Sequence, residues 1–362
     1  MKWAWKVGQF RGIGVYIHAT FLILLAFVAY SYWMASKDVY KTVEGVVFIL
    51  ALFGCVVLHE FGHALTAARF GIKTRDITLL PIGGVARLER MPDEPWQELL
   101  VAIAGPAVNV VIAGLIAGWL YFRGTFGSLD QLTVTEGPFL FRLMVVNIFL
   151  VFFNMLPAFP MDGGRVLRAF LATQMNYSRA TQIAAGVGQG MALLFGLLGF
   201  LYNPFLLFIA LFVWIGAAQE SGITQMKSAL GGIPVYAATI TDFKTLQPDD
   251  TLATATEMIL SGSQQDFPVM KENRVVGVLT RRILLAALSN TDRNVPVSAV
   301  MQRDFESVQA SEMLESAFER LQTCDCYTMP VMKNGDLVGL LTLDNIGEFI
   351  AIRSALYGQK PS

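Results

Sequence analysis

The chain is short of charge. Only 15% of its 362 residues are Asp, Glu, Lys or Arg, where a soluble domain carries about a quarter. The deficit lies ahead of Lys227; beyond it charges return at ordinary density. A net charge of -1 provides no field for holding nucleic acid, so no such partner is expected. Cysteine is scarce: Cys55, Cys324 and Cys326 are an odd set without repeated spacing, which excludes a disulfide framework. Cys324-Asp325-Cys326 reads as incidental thiols rather than a ligand pair. Histidine is as scarce, with His18, His59 and His63 alone.

What is abundant is apolar length. Hydrophobic residues make up 54% of the chain, and its mean hydropathy is +0.52. Six runs approach the roughly 20 residues that cross a bilayer as a helix: 15–34, 43–70, 99–122, 139–156, 180–201 and 204–219. The first follows Lys2, Lys6 and Arg11, as a signal peptide would. It lacks a small-x-small cleavage site and more spans follow, so it is expected to be a retained helix. In this arrangement Lys37, Lys41, Arg123 and Arg142 fall on one side of the membrane. Lys2, Lys6, Arg11, Arg69, Lys73, Arg75, Arg87, Arg90, Arg165, Arg168, Arg179 and Lys227 fall on the other. The positive-inside rule then puts both termini in the cytoplasm. The stretch 79–86, Leu-Leu-Pro-Ile-Gly-Gly-Val-Ala, is too short and broken to span. It suits a re-entrant loop or hairpin, tolerated at membrane depth only under protein cover or beside a wet cavity; a flexible interfacial loop is the alternative.

Two of the three histidines sit together in the second run, as His59-Glu60-Phe61-Gly62-His63. Residues four apart share a helical face. Two imidazoles so placed can hold zinc, with the intervening carboxylate as general base. Ionisable side chains inside a membrane are costly and mark function by default. Zinc in a catalytic site takes three protein ligands. His18 or a carboxylate can complete the set. Asp162 is the candidate, because Pro157 and Pro160 break the fourth run just before it and Gly163-Gly164 follow. An N-cap role is the competing reading of Asp162. Asn154 and Asn109 are amides in apolar helices and could donate to an oxyanion. Interhelical hydrogen bonding is their plainer role, and for Asn109 the stronger one. His18 reads as an interfacial or hydrogen-bonding residue.

This pattern resembles the site-2 protease family of intramembrane zinc metalloproteases. The family's His-Glu-x-x-His falls on His59, Glu60 and His63. Its Asn-x-x-Pro-x(4)-Asp-Gly falls on Asn154, Pro157, Asp162 and Gly163. A Gly-Pro-x-x-Asn element appears as Gly105, Pro106 and Asn109, and Gly83-Gly84 matches the membrane-embedded hairpin. The resemblance implies one zinc per chain on His59, His63 and Asp162, with Glu60 and Asn154 as catalytic groups. It implies a single-span or membrane-associated substrate, such as an anti-sigma factor or membrane-tethered regulator, held by the hairpin as an added strand.

From Ile233 the chain repeats itself. Asp266-Phe267-Pro268-Val269-Met270 with Val275-Val276-Gly277-Val278-Leu279-Thr280 is echoed by Tyr327-Thr328-Met329-Pro330-Val331-Met332 with Leu337-Val338-Gly339-Leu340-Leu341-Thr342. Each half reads as helix, strand, turn, strand, helix. The repeat resembles a tandem pair of CBS domains, which often bind adenine nucleotides. The family's Thr-x-x-Asp ribose contact becomes Thr280-Arg281-Arg282-Ile283, without the acid, and Thr342-Leu343-Asp344-Asn345, where Asn345 can substitute. An adenine nucleotide is therefore expected, if anywhere, at Thr342 and Asn345. A homodimer through these domains is an equal expectation.

The expected fold class is a polytopic α-helical membrane domain of about six spans followed by an α/β tandem CBS domain. The divisions are 1–225, 226–290 and 291–362. The main functional alternative is a transporter or channel gated by the CBS pair, which would bind no zinc and have no use for Glu60.

Overall fold

The structure is a computed structural model describing residues 3–81, 83–89, 92, 94–124, 137–324 and 328–357. The chain divides into two units, Met1–Thr224 and Gln225–Ser362.

The first unit opens with a β-hairpin. Strand β1 (Ala4–Phe10) pairs antiparallel with β2 (Ile13–His18). The turn takes positive φ at Arg11 (47°) and Gly12 (85°), the twist a two-residue hairpin loop needs. This corrects the expected first span, which placed Val15 to His18 in a helix. An apolar run alone does not separate strand from helix, and Val15-Tyr16-Ile17 is rich in strand-formers. Helix α1 (Ala19–Ser36) starts only where His18 caps it, its Nδ1 accepting from the Thr20 N–H at 3.3 Å. His18 is thus a helix cap.

Helix α2 (Val39–Arg69) carries the His-Glu motif. After it, β3 (Thr74–Leu80) lies parallel to β2 and antiparallel to β4 (Gly83–Leu88), giving a sheet ordered β1-β2-β3-β4. Of the segment 79–86, Leu79 and Leu80 therefore end β3 and Gly83 to Ala86 lie in β4, which is an edge of the sheet. Helices α3 (Pro95–Phe122), α4 (Phe139–Asn154), α5 (Asp162–Ala172), α6 (Tyr177–Leu201) and α7 (Phe205–Leu230) follow.

Among the described residues, α1, α2, α3, α6 and α7 are long and apolar enough to cross a membrane, and α4 is a shorter apolar helix of 16 residues. Their packing is that of a membrane bundle. In α6 the buried positions are small, Ala180, Ala184, Ala185, Gly188 and Ala192, while Leu193, Leu197 and Phe200 point outward. Small residues let helices approach closely where lipid supplies no hydrophobic drive. The protein is a multi-pass membrane protein.

Short α5 is the helix that the N-cap reading of Asp162 allowed, but it opens at Asp162 itself, with Met161 as its cap. Its Arg168 is 1% exposed and bonds Glu98 of α3, Glu220 of α7 at 2.5 Å, and the ring faces of Phe159 and Tyr177. Burial pulls the Arg168 pKa down, but Glu98, Tyr177 and Glu220 outweigh it and raise it. A charge this deep persists because it is fully paired.

The second unit holds two similar halves, each with its own core. Helix α8 (Leu252–Leu260), strands β5 (Phe267–Lys271) and β6 (Arg274–Leu279) and helix α9 (Arg281–Leu288) enclose Leu246, Leu252, Phe267, Val269 and Leu279. Strand β7 (Val308–Gln309), helix α10 (Leu314–Thr323), strands β8 (Thr328–Lys333) and β9 (Asp336–Thr342) and helix α11 (Leu343–Tyr357) enclose Leu314, Met329, Val331, Leu341 and Ile346. Both hairpins turn through two residues of positive φ, Glu272-Asn273 and Asn334-Gly335. The halves meet where Asn273 Nδ2 donates to Asp336 Oδ1 at 3.2 Å. Cys324 is disulfide-bonded, which corrects the expectation of an idle thiol; Cys326 lies outside the described residues.

Candidate metal centre

His59 and His63 lie one helical turn apart on α2, 7% and 4% exposed. Their Nε2 atoms are 3.1 Å apart. Asp162 Oδ2 is 3.2 Å from each of them. The first residue of α5, Asp162 follows a cap at Met161, so its carboxylate turns to the imidazoles and not to the helix end. The loop before it is pinned by close packing at Gly163, where a Cβ would strike the Met155 and Leu156 carbonyls.

The other face of each imidazole is already committed. His63 Nδ1 donates to the Val101 carbonyl at 2.7 Å, and His59 Nδ1 meets Asn109 Oδ1 at 2.5 Å. A carbonyl only accepts, so Nδ1 of His63 carries the proton and Nε2 offers its lone pair. Such outer partners orient metal-binding imidazoles. Gly105 of α3 sits against both rings; a Cβ there would lie 2.7 Å from His59 Nε2.

These donors fit zinc. Asp162 Oδ2 is buried and without a hydrogen bond despite its two neighbours. Three donor atoms crowd into a triangle with edges of 3.1 and 3.2 Å. Donors about 2.0–2.1 Å from one tetrahedral ion stand roughly 3.3 Å apart. Among the described residues this is the one group of three or more His, Cys, Asp or Glu that could hold a metal ion.

Glu60 lies beside the triangle, its Oε2 accepting from the Ala86 N–H of β4 at 3.3 Å. Gly84 gives it room, since a Cβ there would be 2.8 Å from Glu60 Cγ. Asn154, at the end of α4, is half-buried, and its side-chain amide has no hydrogen-bond partner among the described residues. In the second unit, Thr342 Oγ1 accepts from the Asn345 N–H at 3.1 Å, and the Asn345 amide donates to the Ala238 carbonyl. The sequence reading did not single out Val101, whose contribution is a backbone carbonyl, or the contact of Gly105 with the rings.

Residues 47–135 and 130–196 match the peptidase family M50, and residues 226–290 and 297–351 match the CBS domain. A zinc metalloprotease of Methanocaldococcus jannaschii is 33% identical over 280 residues, covering 77% of this chain and 78% of its own length. The chain belongs to peptidase family M50. A zinc metalloprotease homologue from Synechocystis sp. is 28% identical across 93% of this chain and 92% of its own length. A solved site-2 protease from M. jannaschii is 37% identical, covering 60% of this chain and 95% of that one with a TM-score of 0.45. This M50 peptidase is a zinc-dependent intramembrane metalloprotease with a C-terminal pair of CBS domains. The gated-transporter alternative is not favoured.

Proposed function

We propose that His59, His63 and Asp162 hold the zinc, that Glu60 is the general base, and that the substrate is a single-span membrane protein such as an anti-sigma factor or membrane-tethered regulator. The convergence of His59 Nε2, His63 Nε2 and Asp162 Oδ2 carries this reading. Zinc at this position supplies a Lewis acid that polarises a carbonyl and acidifies water. Glu60 takes the proton from the attacking water and returns it to the departing amine. Asn154, with its amide uncommitted, donates to the oxyanion.

The substrate is read as an extended strand. In β4 the Ala86 N–H points away from β3, toward Glu60. Side chains and backbone groups alternate along a strand, so Gly84 and Ala86 form the open edge. A peptide added there lies against Glu60, and its backbone supplies the hydrogen bonds that its own helix gives up.

The Lys and Arg distribution supports a cytoplasmic location for both termini and the CBS pair, with water reaching the site from that side. Thr342 and Asn345 border the proposed adenine-nucleotide cleft, where Asn345 Oδ1 remains an acceptor for a ribose hydroxyl. The CBS pair is also the proposed surface for homodimerisation. The test is cleavage of a single-span substrate by purified protein beside Glu60→Gln. Cleavage by the parent and its loss in a variant that keeps zinc support the reading; equal cleavage by both contradicts it.

A further inference from the structure

His59 poses a problem that His63 does not. Its Nδ1 partner is a side-chain amide, and an amide presents either an acceptor or a donor depending on which way it faces. With Asn109 Oδ1 toward it, Nδ1 holds the proton and Nε2 has the lone pair a metal needs. With Asn109 Nδ2 toward it, the tautomer reverses and Nε2 carries the proton. Asn109 is 0% exposed, so bulk water does not settle the choice.

The choice is settled on α4. Asn109 Nδ2 donates to Asn147 Oδ1 at 2.8 Å, and Asn147 Nδ2 donates to the Leu143 carbonyl at 2.8 Å. The far end of this chain is a backbone carbonyl, which can only accept. Asn147 must therefore turn its nitrogen to Leu143 and its oxygen to Asn109. Asn109 must answer with its nitrogen, which leaves Oδ1 for His59 at 2.5 Å. Asn147, also 0% exposed, makes no contact with the donor triangle through its own hydrogen bonds. We infer that Asn147 is a positioning residue for the metal centre, fixing the ligand tautomer of His59 by transmitting the polarity of the Leu143 carbonyl through Asn109.

The inference rests on the zinc reading of His59, His63 and Asp162. It separates from a packing role by a rescue. In Asn147→Leu the Asn109 amide loses its direction, and the Nε2-protonated tautomer of His59 competes with zinc. In Asn109→Asp combined with Asn147→Leu, a carboxylate faces His59; it only accepts, so direction is no longer needed.

The measurement is zinc affinity of the detergent-purified full chain, by competition with a chelator of known affinity. Asn147→Leu is expected to bind zinc about 10- to 100-fold more weakly than the parent, the range for lost outer partners of a metal ligand. The double variant is expected to return close to the parent. If gel filtration shows that leucine is not accommodated, Asn147→Ala replaces it in both variants. Unchanged affinity in the single variant overturns the inference, and so does a double variant as weak as the single one. A parent that binds no zinc overturns the metal-site reading itself, a separate outcome.

Discussion

Gly105 packs directly against the imidazole of His59: a methyl group on its Cα would lie 2.7 Å from His59 Nε2 and would strike His63 as well. The rings cannot swing aside, because Asn109 and Val101 hold both Nδ1 atoms. The small side of α3 is therefore part of the candidate metal centre without offering it a ligand. Gly105→Ala is expected to weaken zinc binding by about 100-fold, the loss of ligand orientation being the cause. Zinc content after gel filtration checks this; a variant with parental zinc would show that the rings have room to move.

Metal removal should be reversible. Dialysis against a strong chelator is expected to abolish cleavage, and readdition of about one equivalent of zinc to restore it, since Asp162 and the imidazoles are positioned by protein contacts of their own. Recovery of activity against zinc added is the measurement. The same treatment of Asp162→Asn should restore little.

The open edge of β4 makes a prediction separate from metal binding. Proline is tolerated on edge strands but cannot donate. Ala86→Pro removes the N–H that now meets Glu60. If the substrate adds to this edge, or if this N–H holds Glu60 in place, kcat/KM falls about tenfold, the worth of one well-made hydrogen bond, while zinc content stays at the parental level. Unchanged kcat/KM would place the substrate elsewhere.

Arg168 is a stability residue. It is 1% exposed and paired with Glu98, itself 2% exposed. Arg168→Met leaves Glu98 a buried charge without its partner and should cost about 3–5 kcal/mol. Combining it with Glu98→Leu should recover much of that loss. Thermal unfolding in detergent reads both; equal midpoints for the single variant and the parent would contradict the assignment.

The pairing of His59 with His63 was legible in the sequence because residues four apart share a helical face; for Asp162 the breaks at Pro157, Pro160 and Gly163 left an N-cap role open, and the resemblance to the site-2 protease family made the choice. The repeated strand pairs of the second unit were legible because their pattern is local too, each with a turn that needs positive φ. The N-terminal hairpin was hidden, because Val15-Tyr16-Ile17 runs without interruption into the apolar α1, and only the capping contact of His18 with Thr20 marks the join. Short α5 was open only through the N-cap reading of Asp162, and its dominant bonds, Arg168 to Glu98 and Glu220, were hidden because they join residues 70 and 52 positions apart. The orientation of His59 depends on Asn109, 50 positions away. Nothing in the spacing of the polar residues indicates such pairs; they exist only once α2, α3, α4, α5 and α7 are packed.

The most direct measurement is X-ray absorption at the zinc edge of the purified protein, beside Asp162→Asn and His59→Ala. The predicted result is one zinc per chain with two imidazole nitrogens and a carboxylate oxygen at about 2.0–2.2 Å, and weakened or absent zinc in both variants. A parent spectrum without imidazole, or parental zinc retained in His59→Ala and Asp162→Asn, would contradict the assignment of this triangle as the metal centre.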